Sequence, residues 1–365
     1  MKPDTIDFSI TNFSTSCISR RSLLKALPAL LISPRLFAQP SIPSVPALKL
    51  HSFGLRVTDI EQSLRFYQGL FGSPIQARQG DTVVLRMGDG PFFYSLRPIV
   101  SDEQPGITQI GVSVGEFDVD RIRSLLQAHG VSLGSQPGAG QSGFTMAMKS
   151  WIGTRRPERG GSTAGTRELF FADRDGIVYQ LNDSSYCGGT GEQGNTCEAL
   201  QASPHSGLIT LRELNHFTNR VHNRDISNQF HRQLFGLDFQ ASQGPRAPVI
   251  GVGDGYQFLM YVGGTGEGQP QQAGRIDHVC MGMDNFDVDA VQALLNNYGL
   301  RPRQDPSKVS PLEHYVSMRM PNRGGAEGGT PELYFSDPDG IRIQLQDPSY
   351  CGGTGFLGDD CSASV

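Results

Sequence analysis

Apolar and polar positions alternate along this chain with two different periods, and the period changes repeatedly between that of a strand and that of a helix. The pattern over Ala47–Val57 predicts a strand, and a capping box at Thr58–Glu61 opens a predicted helix that Gly72 closes. Two further short apolar runs, Thr82–Met87 and Phe92–Arg97, predict strands. This stretch is therefore a mixed unit with one helix and several strands.

The same order of elements begins again shortly afterwards. Thr108–Val114 predicts a strand, and the apolar spacing from Val119 onward predicts a helix that ends at Gly130. Three more strands are predicted at Phe144–Lys149, Glu168–Ala172 and Ile177–Leu181. The two stretches together predict a pair of β-α-β-β-β units.

An internal duplication accounts for the rest of the chain. The segment Leu169–Ile177 recurs 164 positions later as Leu333–Ile341, and Phe117–Asp120 recurs as Phe286–Asp289. A period of this length is too long for a solenoid repeat and indicates two homologous domains, each with two units. The predicted boundaries are residues 47–198 for the first domain, 199–207 for a linker and 210–365 for the second domain.

The second domain repeats the helical patterns of the first. Ile226, Phe230 and Leu234 mark its first helix at helical spacing. His222 and His231 lie around this helix but outside the apolar set, so they are predicted to be on the surface.

The composition agrees with a loop-rich sheet protein rather than a helical bundle. The chain has 45 glycines and 23 prolines among 365 residues, which suits hairpins and long loops. Its formal net charge of −5 argues against a nucleic-acid ligand, and no apolar run approaches the roughly 18 residues of a membrane span. A small molecule is therefore the expected binding partner.

The first 38 residues have the pattern of a twin-arginine export signal. Ser19–Lys25 contains the paired arginines Arg20 and Arg21, and a short, moderately apolar stretch follows at Ala26–Ile32. That stretch is too short to span a bilayer. The pattern predicts cleavage near Ala38, passage through the twin-arginine translocase, and a periplasmic or secreted protein.

The cysteine spacing agrees with an oxidising compartment. Cys187 and Cys197 stand ten residues apart, and so do Cys351 and Cys361 in the matching segment of the second domain. Export makes two disulfides the expected pairing, each stabilising the fold by roughly 2–3 kcal/mol. A four-thiolate zinc site is the alternative, but the C-x2-C spacing that such sites prefer is absent. Cys280 is left unpaired and is expected to pack in the interior.

Two motifs in the chain resemble the vicinal oxygen chelate superfamily, which includes glyoxalase I, bleomycin-resistance proteins and extradiol ring-cleaving dioxygenases. They are Arg56–Gly72, with its R-V pair and F-Y-x-x-L-F-G, and Glu332–Leu345, which reads E-L-Y-F-S-D-P-D-G-I-R-I-Q-L. The resemblance covers nearly all of the chain after the signal. It implies an α+β fold in which four βαβββ modules pair into two homologous domains, each a curved mixed sheet around a cavity that holds a divalent metal ion.

The resemblance also implies where metal ligands stand. In that family they come from the first strand of each module and the last strand of the second module, and the first lies four residues before the R-V pair. The implied positions in the second domain are His216, His278 and Gln344. The corresponding positions in the first domain are Ser52, Gln109 and Gln180. Only the second set suits a metal, so one divalent ion is expected there, iron first, with zinc, nickel or manganese as alternatives.

Four other residues are candidates for roles near this site. Tyr334 lies ten residues before the last-strand ligand, where ring-cleaving dioxygenases carry a site tyrosine. His314 is the candidate for proton transfer, because the third module lacks the histidine that those enzymes use. Arg323, in a Gly-rich segment, is the candidate for contact with an anionic substrate. Glu332 is either an inward-facing carboxylate near the metal or a solvated strand residue.

Three functions are consistent with these residues. The first is an exported, metal-dependent enzyme of the extradiol dioxygenase type that acts on a catechol-like aromatic molecule. The second is a lyase or isomerase of the glyoxalase kind, which uses the metal as a Lewis acid. The third is a metal-free protein that binds a small molecule, as resistance proteins of the superfamily do. The bound metal, or its absence, decides among them.

Overall fold

Two nine-stranded sheets dominate the computed structural model, which describes residues 42–136, 147–245, 247–265 and 274–361. The first half, residues 42–198, contains β1 (Ala47–Val57), α1 (Ile60–Phe71), β2 (Ile75–Gln79), β3 (Thr82–Arg86), β4 (Phe93–Pro98), β5 (Gly106–Val114), α2 (Val119–Ala128), β6 (Ser132–Leu133), β7 (Lys149–Arg155), β8 (Thr166–Ala172) and β9 (Val178–Asn182). The second half, residues 208–361, contains β10 (Leu211–Asn223), α3 (Arg224–Phe235), β11 (Phe239–Ser242), β12 (Pro248–Gly251), β13 (Phe258–Gly264), β14 (Arg275–Met283), α4 (Val288–Tyr298), β15 (Arg301–Pro302), β16 (Glu313–Arg319), β17 (Thr330–Ser336) and β18 (Arg342–Gln346). The predicted signal at residues 1–38 lies outside the described residues.

Both sheets have the same strand order, as a duplicated sequence requires. The order is β2-β3-β4-β1-β5-β9-β8-β7-β6 in the first sheet and β11-β12-β13-β10-β14-β18-β17-β16-β15 in the second. At each centre the first strands of two modules pair antiparallel, and each then pairs in parallel with the last strand of its own module. The predicted α+β fold of paired βαβββ modules is confirmed. In the described ranges, no helix has the length and apolarity that crossing a membrane requires.

The start of α1 differs from the predicted capping box by one residue. Its N-cap is Asp59, whose carboxylate accepts a hydrogen bond from the amide of Gln62 at 2.9 Å. Thr58 donates instead, from its amide and its hydroxyl, to the carboxylate of Asp339 in the second half. Gly72 ends the helix as predicted, with a φ of 67° that favours glycine. The hydroxyl of Thr58, which the sequence pattern assigned to the helix cap, thus binds a residue distant in sequence instead.

In the first half, one strand prediction was wrong in position, and two strands, β2 and the two-residue β6, were not predicted. The strand expected at Phe144–Lys149 begins only at Lys149, where β7 starts, and residues 144–146 lie outside the described residues. The sequence of β7 has just two adjacent large apolar residues, so its alternation is too weak to reveal the strand. The same weakness explains why β2, which reads I-Q-A-R-Q, escaped prediction.

One hydrophobic core runs through both halves, because the first helix of each half packs against the other half. The rings of Phe66 and Phe71 in α1 lie 6.3 and 6.1 Å from the ring of Phe335 in β17. In the opposite direction, Phe235 of α3 lies 6.3 Å from Phe171 of β8. The two halves therefore form one compact unit.

Two D-x-D-G turns complete this reciprocal packing. Asp337, in the turn before β18, accepts a hydrogen bond from the hydroxyl of Tyr67 in α1 at 2.9 Å. Asp175, in the matching turn of the first half, accepts the amide of His222 at 2.8 Å and the hydroxyl of Ser227 at 3.1 Å. Each half thus uses its last hairpin turn to hold the first helix of the other.

The two histidines predicted to be on the surface are buried by this arrangement. His231 is fully enclosed and stacks on Tyr261 at 4.6 Å, and His222 is 6% exposed. Burial lowers the pKa of His231 to about 3, so this imidazole is neutral at ordinary pH. The prediction was wrong because α3 is covered on a second side by the other half, which a helical pattern cannot show.

Both predicted disulfides are present in the structure. Cys187–Cys197 and Cys351–Cys361 each close a ten-residue separation with Cα atoms 6.3 Å apart. Cys280 is the free cysteine of the described residues and is fully buried, as expected. The alternative of one zinc site shared by four thiolates is excluded by these pairings.

Candidate metal centre

The central strands of the second sheet bring the candidate ligands together. His216 of β10 lies beside Cys280 of β14, and Cys280 lies beside Gln344 of β18. His278 precedes Cys280 by two residues, so both side chains point to the same face of the sheet. None of the four is more than 6% exposed, and the two imidazole rings meet edge to face at 5.7 Å. Rings at this separation can reach one ion, because a bound metal lies about 3 Å from the centre of a ligand ring.

A β-bulge sets the register of this row. Asn215 is the extra residue of the bulge on β10, and His51 occupies the same place on β1. The first sheet therefore aligns Ser52, Gly111 and Gln180 where the second sheet aligns its histidine, cysteine and glutamine. His51 is buried between aromatic rings, and its pKa is lowered to about 3, chiefly by burial.

The proton of His216 is placed by its neighbour in the sequence. The amide nitrogen of Asn215 donates to the carbonyl of Tyr350 at 2.8 Å, which leaves its amide oxygen as an acceptor for Nδ1 of His216, also at 2.8 Å. His216 therefore carries its proton on Nδ1 and keeps the electron pair of Nε2 for another partner. Burial, and next the neighbouring His278, lower the pKa of His216 well below its usual range, so the ring is neutral, as a metal ligand must be.

His278 is oriented in the same way by a carboxylate. Nδ1 of His278 donates to Asp277 at 3.0 Å, and Asp277 also accepts from Arg220 at 2.6 Å and from Arg342 at 2.8 Å. Burial would raise the pKa of Asp277, but the hydrogen bond from His278 and the charge of Arg342 outweigh it and hold that pKa far below the usual range. The ionised carboxylate fixes the proton on Nδ1 of His278, so Nε2 points away from Asp277. Such carboxylate–histidine pairs are typical of metal ligands.

Sequence analysis missed both orienting residues, although the signal was there to find. Asn215 and Asp277 each directly precede the histidine that they hold. A polar side chain just before a candidate ligand on a strand would normally point to the opposite face. Asn215 on β10 and Asp277 on β14 are each the extra residue at a register shift, which removes that objection for both pairs, and these shifts are not visible without the pairing of the strands.

Gln344 is the residue of this cluster whose polar atoms lack partners. Its side chain lies beside His216. Its amide oxygen and its amide nitrogen are both buried, and neither has a hydrogen-bond partner among the described residues. The counterpart in the first half, Gln180, accepts from Gln109 at 2.7 Å and donates to the hydroxyl of Tyr186 at 3.0 Å. Protein groups therefore satisfy the amide of Gln180, whereas the matching amide of Gln344 is left unsatisfied.

Glu332 faces inward and is buried, which removes the alternative of a solvated strand residue, but its carboxylate is already engaged. One oxygen accepts from Arg319 at 2.8 Å and from the hydroxyl of Tyr350 at 3.0 Å. The first half repeats this arrangement with Arg155, Glu168 and Tyr186. Each arginine also binds carbonyls of its disulfide loop. A clamp found in both halves serves the loop and not the metal.

The candidate donors are therefore two imidazoles and one amide. Among the described residues, no three side chains of histidine, cysteine, aspartate or glutamate are grouped so that they could hold a metal ion. The buried thiol of Cys280 has its pKa raised by burial and by Glu332, so it is not a thiolate ligand.

Tyr334 forms one wall of the site. Its ring meets His278 edge to face at 5.2 Å and stacks on Tyr315 at 5.0 Å. Its hydroxyl donates to the second oxygen of Glu332 at 3.4 Å. Burial, and next the charge of Glu332, raise the pKa of Tyr334 well above its usual value, so the hydroxyl remains a hydrogen-bond donor.

The structure does not bring His314 or Arg323 into this cluster. His314 neighbours Tyr315 on β16 and so points to the opposite face, where its Nε2 contacts Asn296 of α4 at 2.9 Å. Arg323 ends a short 3-10 helix and is exposed, and its backbone lies next to Gly244.

Solved structures with the same fold were found by comparison. A variant of homoprotocatechuate 2,3-dioxygenase from Brevibacterium fuscum is 16% identical, with a TM-score of 0.53 over 89% of this chain and 77% of that one. The Mn(II)-bound glyoxalase from Novosphingobium aromaticivorans is 15% identical, with a TM-score of 0.51 over 82% of each chain. A 2,3-dioxygenase from a Pseudomonas species is 14% identical, with a TM-score of 0.52 over 83% of this chain and 93% of that one. No family model and no curated protein matches the sequence.

These likenesses define the class of fold. The chain has the paired-module fold of the vicinal oxygen chelate proteins. The 2,3-dioxygenases and the glyoxalase found by comparison are structurally similar to it. At 14–16% identity the similarity shows the fold and leaves the chemistry to be argued from the site.

Proposed function

We propose that His216, His278 and the amide oxygen of Gln344 hold one divalent metal ion, and that the protein is a metal-dependent enzyme acting on a small molecule. The observation that carries this proposal is the state of the three side chains. Each imidazole has its Nδ1 held by an orienting partner, and no ring nitrogen or oxygen of another described residue satisfies the buried amide of Gln344 beside them. Two satisfied core histidines would not need this arrangement.

The reaction that we propose first is ring cleavage of a catechol-like aromatic molecule by oxygen. The bound metal, iron in this case, would supply the Lewis acidity and the redox chemistry. The stacked rings of Tyr315 and Tyr334 offer a flat wall against which an aromatic ring can pack. The hydroxyl of Tyr334, which stays protonated, can donate a hydrogen bond to a substrate oxygen.

A second candidate is Lewis-acid chemistry without oxygen, as in glyoxalase-type lyases and isomerases. The observation that favours it is the lack of an available carboxylate, because Arg319 and Tyr350 occupy Glu332. Non-haem iron oxygenases use two histidines and one carboxylate, and a neutral third donor suits zinc, nickel or manganese at least as well. The identity of the metal separates the two reactions.

The test is elemental analysis of the mature protein, purified from a host that exports it, beside two double variants. His216→Ala/His278→Ala removes the proposed ligands, and Ser52→Ala/Gln109→Ala is the matched control in the first half. About one metal per chain, lost only from the first variant, supports the site. Iron together with oxygen uptake that matches catechol consumption supports ring cleavage, and zinc, nickel or manganese without oxygen uptake supports the second candidate. If the wild type holds no metal, the proposal fails and a binding protein remains.

We also propose that the chain is exported by the twin-arginine route. The paired Arg20 and Arg21 motivate this, and the two disulfides are compatible with it. Replacing both arginines with lysine should retain the precursor in the cytoplasm. Fractionation and immunoblotting measure this, and normal export of the variant would contradict the proposal.

A further inference from the structure

A cavity of about 820 Å³ lies in the first half at the place where the second half has its candidate metal centre, and Gly274, Arg275 and Ile276 of the second half complete its lining. Ser52, Gln109 and Gln180 line it in place of the two histidines and Gln344. Its volume lies within the range of small-molecule sites, which is roughly 300–1,000 Å³. The hydrogen bond between Gln109 and Gln180 satisfies these polar groups without a metal. The cavity therefore has room for a ligand but no metal chemistry.

One wall of the cavity is aromatic. Trp151 stacks on Phe170 with ring centres 5.6 Å apart and planes 10° from parallel. Phe93 and Tyr186 also contribute to the lining. Flat aromatic surfaces of this kind favour a planar organic ligand over a small inorganic ion.

A second part of the wall carries more positive than negative charge. Arg97 binds Glu103 with both of its terminal nitrogens, at 2.6 and 2.7 Å, and Arg56 binds the same carboxylate at 3.3 Å. The hydrogen bond from Arg97 is the main reason why the pKa of Glu103 falls to about 2, so the carboxylate is ionised at ordinary pH. Two guanidinium groups thus share one negative charge and leave an excess of one positive charge.

Two further arginines extend the positive charge. Arg159 and Arg275 line the cavity and are exposed, and neither forms an ion pair with any residue that the structure describes. The other carboxylate in the lining, Glu168, is neutralised by Arg155 at 3.1 Å. The free guanidinium groups are suited to hold a carboxylate, whose two oxygens match the arginine fork.

We propose that this cavity is a second, metal-free binding site that takes a small aromatic carboxylate. The ring of the ligand would pack against Trp151 and Phe170, and its carboxylate would meet Arg159 and Arg275. The site does not use the proposed metal ligands, because His216, His278 and Gln344 are absent from its lining and its polar floor is already satisfied. The duplicated fold would then bind two different ligands, one in each half.

The chain provides its own reporter for this site, because Trp151 is its single tryptophan. Titration of the mature protein with benzoate should change the tryptophan fluorescence in a saturable way, and benzamide, which has the same shape without the charge, should bind more weakly. Because a hydrogen bond to a charged group is worth at least about tenfold in affinity, Arg159→Gln and Arg275→Gln should each weaken benzoate by about that factor. The same variants should leave the weak binding of benzamide unchanged.

Two controls separate this site from the metal centre. His216→Ala/His278→Ala should bind benzoate as the wild type does, so failure of the proposed metal site would leave this result standing. Trp151→Phe should lose the fluorescence change but still show heat of binding by calorimetry. The proposal is overturned if benzoate gives neither a fluorescence change nor heat with the wild type, or if its affinity is unaffected by loss of both arginines.

Discussion

The turn that joins the two halves at Asp337 should make the protein less stable as the pH rises. The carboxylate of Asp337 is fully buried and accepts hydrogen bonds from the amides of Asp339 and Ile341, at 2.9 and 2.8 Å, and from the hydroxyl of Tyr67. Burial raises its pKa from 3.8 to about 7. The folded state therefore keeps a proton that the unfolded chain loses, and folding stability falls as the pH rises from 3.8 through 7.

The size of the effect follows from these two pKa values. Because one pKa unit corresponds to about 1.4 kcal/mol, the full loss attributable to Asp337 is about 4 kcal/mol. About 3 kcal/mol of this falls between pH 5 and pH 8. Asp173, in the matching turn, has a pKa of about 8 for the same reason and adds a loss in the same direction, so the wild type alone cannot isolate Asp337.

The variant Asp337→Asn isolates it, because asparagine has the shape of the protonated acid and does not titrate. Its amide oxygen can accept from both backbone amides, while its nitrogen can donate to the hydroxyl of Tyr67. We expect urea unfolding to show a loss of stability from pH 5 to pH 8 that is smaller than that of the wild type by about 3 kcal/mol. The matched control is Asp254→Asn at an exposed position, which should behave as the wild type does. An equal pH dependence in Asp337→Asn and the wild type would refute the reasoning.

Three further outcomes are expected. Asp277→Asn should weaken metal binding by roughly 10–100-fold in a chelator competition, because the orienting carboxylate is lost, and unchanged affinity would contradict its role. Arg319→Met should destabilise the protein by about 3–5 kcal/mol in urea, since Glu332 is left buried without its charge partner, and Arg319→Met/Glu332→Leu should recover most of that loss. Replacing Cys351 and Cys361 with alanine should cost roughly 2–3 kcal/mol, and a variant as stable as the wild type would show that the loop is held by other contacts.

Much of the fold, and the grouping of the candidate ligands, could be predicted from the sequence because the chain contains two copies of itself. A separation of 164 residues aligned Ser52 with His216, and the strand pairing places both residues in the same row after the same bulge. Register errors of one residue are the usual hazard on a strand, since they turn a side chain to the opposite face. The duplication removed that hazard, because the count from the second copy had to agree with the first.

What could not be predicted lies between the halves or depends on chain segments far apart in sequence. The burial of His231 requires Tyr179 of the first half, whose ring lies 5.0 Å from that of His231 and covers α3 on this side. The carboxylate of Glu332 is bound by Arg319 and by the hydroxyl of Tyr350, the residue just before the disulfide loop. His314 looked suitable for proton transfer by residue type alone, and its place on the helix side of β16 follows from the alternation of the strand. Side-chain type is local information, whereas these partners are set by the tertiary fold.

Comparison of the two copies separates what the fold needs from what the chemistry needs. The clamp of arginine, glutamate and tyrosine occurs in both halves with the same hydrogen bonds, so it belongs to the fold. The candidate metal ligands differ between the halves. The residues that orient them differ too, because His51 and Thr108 stand in the first half where Asn215 and Asp277 stand in the second. A half that no longer binds a metal is expected to lose the ligands and the residues that orient them together. The cavity lies in this same half, with Arg159 of the first half and Arg275 of the second in its lining, which is consistent with our proposal that it binds a different ligand.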